Sequence, residues 1–114
     1  MRETADRGSW SKKKECAKIG QDYARRKETE AQNGNTAIDA EYGYNRALDT
    51  CVCAYTLVGA YHARFVDDAL TGRTLVYVST TDSAADQLQF ESDRRSLLAG
   101  DKPESPLIRK QQRF

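Results

Sequence analysis

The sequence predicts a single α+β domain in which a long N-terminal helix packs on a small antiparallel sheet of about three strands, with a second helix near the C-terminus. Two observations support this fold class. Apolar residues recur with helical spacing in the first third of the chain, and segments rich in β-branched and aromatic residues follow in the middle. A length of 114 residues fits one domain. We place it at residues 9–100, between a flexible N-terminus (1–8) and a polar tail (101–114).

The first helix is predicted over residues 11–32. Ser9 or Ser11 is a suitable N-cap, because a hydroxyl accepts a hydrogen bond from a backbone amide that has no partner in the helix. Asn33-Gly34 supplies a C-terminal stop. Apolar and small residues three and four positions apart share one face of this helix. They are Cys16, Ile19, Gly20, Tyr23 and Ala24.

Residues 35–50 are predicted to form a loop with one helical turn at 44–48, since Asp, Asn and Gly are frequent there and rare in strands. The first strand is predicted over residues 50–61, which are rich in Val, Thr, Tyr and Cys. Neither face of this strand is strongly polar. We therefore expect it to be central, with a helix covering one side.

A hairpin is predicted to follow. Its strands are residues 64–70 and 74–79, and the tripeptide Thr71-Gly72-Arg73 forms the turn, with Gly72 tolerating a positive φ angle. Three antiparallel strands against one amphipathic helix is about the smallest arrangement that is stable by itself.

The second helix is predicted from the N-cap Ser83 to Leu98, with Gly100 closing it. Its apolar stripe is weak and consists of Ala84 or Ala85, Leu88 and Leu98. In the tail, the apolar residues that could dock on another surface are Leu107, Ile108 and Phe114.

The three cysteines allow two interpretations. Cys16 lies on the apolar stripe of the first helix and Cys51 opens the strand that this stripe should cover, so a disulfide between them is possible if the two segments pack together. Alternatively, all three cysteines are buried thiols in a reducing compartment. In both cases Cys53 is expected to be a free, buried thiol.

A short pattern is similar to one found in small exported bacterial domains of unknown function. The segment 44–51 (YNRALDTC), an apolar strand and the segment 66–73 (VDDALTGR) resemble YN-x-x-L-x-x-C, a strand and a D-x-x-x-(N/G)-(K/R) hairpin. Those domains carry a further cysteine in an upstream helix, which Cys16 matches. The resemblance covers about residues 12–80. It implies an exported, disulfide-bonded domain and supplies no catalytic residues.

No cluster of residues has the pattern of an active site. Cys53, His62 and Asp67 or Asp68 are the residue types of a thiol nucleophile, a base and an orienting acid. In one continuous strand, however, Cys53 and His62 lie on opposite faces and about 30 Å apart. Cys51, Cys53 and His62 give three metal ligands where a structural zinc site needs four. We therefore predict neither an enzyme nor a metal or cofactor.

The charge distribution argues against nucleic acid as the main partner. The net charge is +1, whereas duplex binders depend on a strong basic excess. Lys12–Lys14 and Arg25–Lys27 are basic, but Glu15, Asp22 and Glu28 are interleaved with them, which is typical of a solvated helix face. The chain also contains no apolar run long enough to span a bilayer.

Six tyrosines are the most unusual feature of the composition. Tyr42, Tyr44 and Tyr61 lie in or beside predicted loops and are candidates for a contact patch, because tyrosine is favoured at recognition surfaces. The alternative is that they only border a small core with their hydroxyls in water.

Together these features favour a non-enzymatic binding or accessory domain that acts through a protein partner and is periplasmic or secreted. The N-terminus lacks the apolar segment of a signal peptide, so the chain is either cytosolic or a mature exported domain with an added initiator Met. The alternative function is a small cytosolic regulator, such as a phage-type inhibitor, that contacts a protein or nucleic acid through the basic face of the first helix.

Overall fold

The computed structural model describes residues 2–30, 35–59 and 62–104. The elements are α1 (Arg2–Glu30), β1 (Asn35–Asn45), β2 (Thr50–Gly59), β3 (Ala63–Asp68), β4 (Thr74–Ser79) and α2 (Ala84–Leu98). In this part of the chain the strands form one antiparallel sheet in the order β1-β2-β3-β4. The helices pack on opposite faces of the sheet. The predicted α+β fold is confirmed, with four strands rather than about three.

Helix α1 buries the predicted stripe. Cys16, Gly20 and Tyr23 are buried, and the helix lies over β1 and β2. It begins at Arg2, well before the predicted start at residue 11. The glycine at position 8 costs about 1 kcal/mol relative to alanine but does not by itself end a helix, and no proline occurs in this segment.

Strand β1 corrects the prediction of a loop over residues 35–50. The polar residues that suggested a loop are tolerated because β1 is an edge strand, paired with β2 alone among the described residues. A bulge between Ile38 and Glu41 accommodates Asp39, whose φ angle is +55°. The predicted helical turn at 44–48 is a turn at 46–49 that links β1 to β2.

The buried side chain of Asn45 fixes this turn. Its Oδ1 accepts a hydrogen bond from the amide of Leu48 at 2.7 Å. Its Nδ2 donates to the carbonyls of Leu97 at 3.0 Å and Asp101 at 2.8 Å. One side chain therefore ties the β1–β2 connection to the end of α2 and to the first residue of the predicted tail.

The remaining strands follow the sequence closely. Strand β2 is central and covers Thr50–Gly59, the last two residues of its predicted range lie outside the described residues, and β4 has its predicted bounds. Gly72 has a φ angle of +80° in the β3–β4 turn, as the hairpin prediction requires. On the α2 side of the sheet, residues of β2, β3, β4 and α2 form one core. Its buried members are Val52, Ala54, Val66, Leu75, Val76, Val78, Phe90 and Leu97.

Helix α2 has its predicted bounds, but most of its predicted stripe is wrong. The Ser83 side chain accepts from the Asp86 amide at 3.1 Å, which confirms the cap. Leu88 is 73% exposed, and Phe90 and Leu97 point into the core instead. The stripe is hard to see because a buried polar residue, Asp93, lies between these two.

Asp93 also accounts for the start of the predicted tail. Its Oδ1 accepts hydrogen bonds from Gln89 Nε2 and from the Glu104 amide, both at 3.1 Å. Residues 101–104 are thus connected to α2 and β1. Leu107, Ile108 and Phe114 lie outside the described residues.

Candidate functional site

A disulfide joins α1 to the start of β2. Cys16 lies on the buried face of α1 and Cys51 is the second residue of β2, with 5.1 Å between their Cα atoms. The helical spacing of the stripe brings Cys16 to this position, because Ile19 and Tyr23 pack into the same core. The bridge that the sequence allowed is therefore present. It spans 35 residues of sequence.

Next to the disulfide, a buried carboxylate connects four elements of the fold. Asp67 on β3 accepts hydrogen bonds at Oδ2 from the hydroxyls of Tyr23 (2.6 Å) and Tyr55 (2.9 Å). Its Oδ1 accepts from the hydroxyl of Thr74 at 2.9 Å. All four side chains are buried. We call them the carboxylate network; it links α1, β2, β3 and β4.

Burial controls the electrostatics of the carboxylate network. Removal from water raises the pKa of Asp67 above its ordinary value, and the three donated hydrogen bonds and nearby Lys27 act against this rise. Burial also raises the pKa of Tyr55, and the Asp67 charge adds to the effect. Tyr55 is therefore a neutral hydrogen-bond donor at neutral pH. Sequence reasoning missed the network, because it depends on register and helix placement.

Cys53 lies directly opposite Asp67 in the β2–β3 pairing and is a free, buried thiol. Burial, and secondarily the Asp67 charge, raise its pKa to about 12, so the nucleophilic thiolate is rare at neutral pH. His62 is exposed and precedes β3 by one residue. It lies five residues from Asp67, about 16 Å at the usual rise of a strand.

The structure therefore does not bring Cys53, Asp67 and His62 together as a triad. It also corrects the geometry used for the sequence prediction. Cys53 and His62 belong to different parts of a β2–β3 hairpin and not to one continuous strand.

The tyrosines of the predicted contact patch are only partly available for a partner. Tyr42 and Tyr44 lie on β1, on the face that α1 covers, and not in a loop. Tyr42 is 38% exposed, and its side chain packs against Gly20 of α1. Tyr44 is half-buried, and its hydroxyl donates to Asp49 Oδ1 at 2.8 Å. Tyr61 lies outside the described residues.

Replacing Gly20 with alanine is expected to lower the free energy of unfolding by about 2 kcal/mol. The new Cβ would lie 2.3 Å from Tyr42 Cβ. Overpacking of this kind costs up to about 3 kcal/mol, against about 1 kcal/mol gained from helix propensity. Urea denaturation measures the change. Gly43→Ala is the control, since its Cβ would be 3.6 Å from the nearest atom. A more stable Gly20→Ala variant would contradict this packing.

The basic residues of α1 partly make contacts within the protein. Lys12 Nζ forms an ion pair with Asp49 Oδ1 at 2.8 Å, and this hydrogen bond and charge raise the pKa of Lys12. The charged groups of Arg26 and Lys27 lie 5.3 and 5.4 Å from the ring centre of Tyr23. These contacts support the interpretation of a solvated helix face over that of a surface for an anionic partner.

On the face of the sheet that carries α1, strands β3 and β4 are not covered by this helix as β1 and β2 are. Helix α1 lies over β1 and β2, whereas the rings of Tyr55, Phe65 and Tyr77 form a stacked row that continues across β3 to β4. Their centroids are 5.3 and 5.9 Å apart. Burial decreases along the row, and Tyr77 is 40% exposed. We call Phe65, Tyr77 and the outer edge of β4 the aromatic face.

Among the described residues there is neither a group of candidate metal ligands nor a helix suited to span a membrane. None of their His, Cys, Asp or Glu side chains forms a group of three or more that could hold a metal ion. None of their helices combines the length and apolar composition needed to cross a membrane.

No known protein family, curated protein or solved structure matches this chain.

Proposed function

We propose that the chain is a non-enzymatic binding domain, exported and held together by the Cys16–Cys51 disulfide, that recognises a protein partner through the aromatic face. The observation that carries this proposal is the row of stacked rings that ends at Tyr77. Aromatic side chains contribute large contact area at small entropic cost, which makes them frequent anchors of protein interfaces.

The edge of β4 adds a means of recognition by main-chain hydrogen bonds. Within the described residues β4 pairs only with β3. Its sequence, TLVYVS, contains no charged residue and no proline, the features with which edge strands usually prevent further pairing. An extended segment of a partner can add to such an edge as a fifth strand. Its side chains would then lie beside Tyr77.

The disulfide supports export, because disulfides persist in oxidising compartments and are rare in the cytosol. The resemblance to small exported bacterial domains points the same way. A protein partner, rather than a substrate, is favoured because Cys53, the cysteine outside the disulfide, is held as a thiol and His62 lies away from it. The proposal of a cytosolic regulator with a basic helix face has no comparable support.

Photo-crosslinking in the source cells tests the proposed surface. A photoreactive phenylalanine at position 77 is expected to give a discrete crosslinked protein, and the same group at exposed Leu88 on α2 is not. Unlabelled wild-type or Leu88→Lys protein should compete for this crosslink, and Tyr77→Lys protein should fail to compete. Equal crosslinking at both positions, or none at position 77, would count against the aromatic face.

A further inference from the structure

A charged cleft lies on the opposite side of the sheet from the aromatic face. It is open to solvent, has a volume of about 570 Å³ and lies between the β1 bulge and the middle of α2. This volume is within the range of small-molecule sites. The side chains that carry the argument are Asp39, Glu41, Thr56, Arg64, Phe90 and Arg94.

Two arginines form the more buried wall of the cleft. The side chains of Arg64 and Arg94 are 30% and 22% exposed, and both contact Glu91, at 2.6 and 3.4 Å. The Arg64 guanidinium also lies 4.9 Å from the ring centre of Phe90. These contacts hold the guanidinium groups in place. They use only part of the five N–H donors that each group offers.

Carboxylates form the outer rim. Glu41 pairs with Arg94, yet its side chain is 56% exposed. Asp39 is exposed at the bulge, where its positive φ angle and the irregular register turn this part of β1 out of the regular ladder. Both guanidinium groups therefore lie at the inner wall, where Glu91 neutralises part of their charge, and two further carboxylates lie at the outer edge.

The geometry points to a site for a small zwitterion of the amino acid or short-peptide class. In this arrangement the ligand carboxylate replaces that of Glu41 on Arg94 and reaches Arg64. The ligand ammonium group lies at the rim beside Asp39 and the released Glu41, and its apolar part packs near Phe90. Arginine forks bind carboxylates well. A simple anion is disfavoured, because Asp39, Glu41 and Glu91 outnumber the two guanidinium groups. A simple cation is disfavoured because those groups form the inner wall.

Titrations of the full-length protein monitored by amide NMR test the site. The probes are the standard amino acids and dialanine, each raised to about 20 mM, well above a dissociation constant of about 1 mM for a weak site. At least one probe is expected to cause saturable shifts confined to residues around Thr56 and Phe90. Its N-acetylated form and its carboxamide form should each bind about tenfold more weakly, since each loses one charged contact.

Two variants separate the roles of the charges. Arg94→Gln should weaken the best probe about tenfold, whereas Arg95→Gln, an exposed neighbour on α2, should leave binding unchanged. Asp39→Asn keeps a residue type that tolerates positive φ, so the bulge is retained. It should weaken binding of the parent probe but not of its N-acetylated form, which has no ammonium group to contact Asp39. The comparison of the two probes with Asp39→Asn therefore tests the site even if Arg94→Gln impairs folding.

Two results would overturn the assignment. One is the absence of saturable, cleft-localised shifts with every probe. The other is binding of acetate or phosphate as tight as that of the best amino acid, because the arginines would then bind oxyanions without help from the acidic rim.

Discussion

Reduction of the Cys16–Cys51 disulfide is expected to lower the free energy of unfolding by about 4 kcal/mol. The bridge joins two cysteines 35 positions apart and so restricts the unfolded chain, and this magnitude follows from the entropy of closing such a loop. Domains of this size are stable by only about 5–15 kcal/mol, so the loss is a large part of the total. Urea denaturation with and without reductant measures it.

Two variants show whether the loss belongs to this bridge. The double variant Cys16→Ala/Cys51→Ala should be insensitive to reductant. Cys53→Ala should lose as much stability on reduction as the wild-type protein, because Cys53 is not in the bridge. Unfolding midpoints that do not change on reduction of the wild-type protein would show that the bridge contributes nothing to stability.

The second large effect is expected at Asp67. Asp67→Ala removes the acceptor of three buried hydroxyls, those of Tyr23, Tyr55 and Thr74. A buried polar group that loses its partner costs about 1–3 kcal/mol. Since the variant also relieves the burial of a charge, we expect a net loss of about 3 kcal/mol in the free energy of unfolding at neutral pH. Chemical denaturation at pH 7 provides the value.

The isosteric variant Asp67→Asn is the control for shape. It keeps one acceptor oxygen and the side-chain volume, so its loss should stay below about 1 kcal/mol. If Asp67→Ala costs no more than Asp67→Asn, the hydroxyls find other partners and the carboxylate network does not hold the elements together.

The difference in the free energy of unfolding between wild type and Asp67→Asn is expected to depend on pH, with a definite sign. Because burial raises the pKa of Asp67 in the folded state above its ordinary value of 3.8, the folded protein binds this proton more tightly than the unfolded chain does. The resulting stability is fully present below about pH 3.8 and is lost as the pH rises through the folded-state pKa. The stability of Asp67→Asn relative to wild type should therefore increase over this interval. A constant difference would contradict the raised pKa.

Much of the fold could be predicted from local patterns. Helix α1, the hairpin around Gly72 and the cap at Ser83 each depend on residues close in sequence, and all three are confirmed. Strand β1 could not be found in the same way. Its bulge at Asp39 interrupts the alternation of side chains, and only Tyr42 and Tyr44 around Gly43 keep the two-residue period of a strand.

The site was less accessible to sequence reasoning. The possibility of the Cys16–Cys51 bridge follows from one helical stripe and one strand. The carboxylate network depends on the pairing of Cys53 with Asp67, and the charged cleft depends on the place where α2 crosses the sheet. Neither can be predicted from local sequence patterns. No local pattern marks a carboxylate that receives hydroxyls from other elements, so the sequence indicates only the residue type of Asp67, that of an orienting acid beside Cys53 and His62.

Sequential thiol labelling of protein from acid-quenched source cells tests the central claim, that the Cys16–Cys51 bridge fastens α1 across the sheet. One alkylating reagent is applied to the native protein, a second after denaturation and a third after reduction, and mass spectrometry locates each label. We predict the second label on Cys53 and the third on Cys16 and Cys51. Labelling of Cys16 or Cys51 before reduction would contradict the bridge and, with it, the support for export.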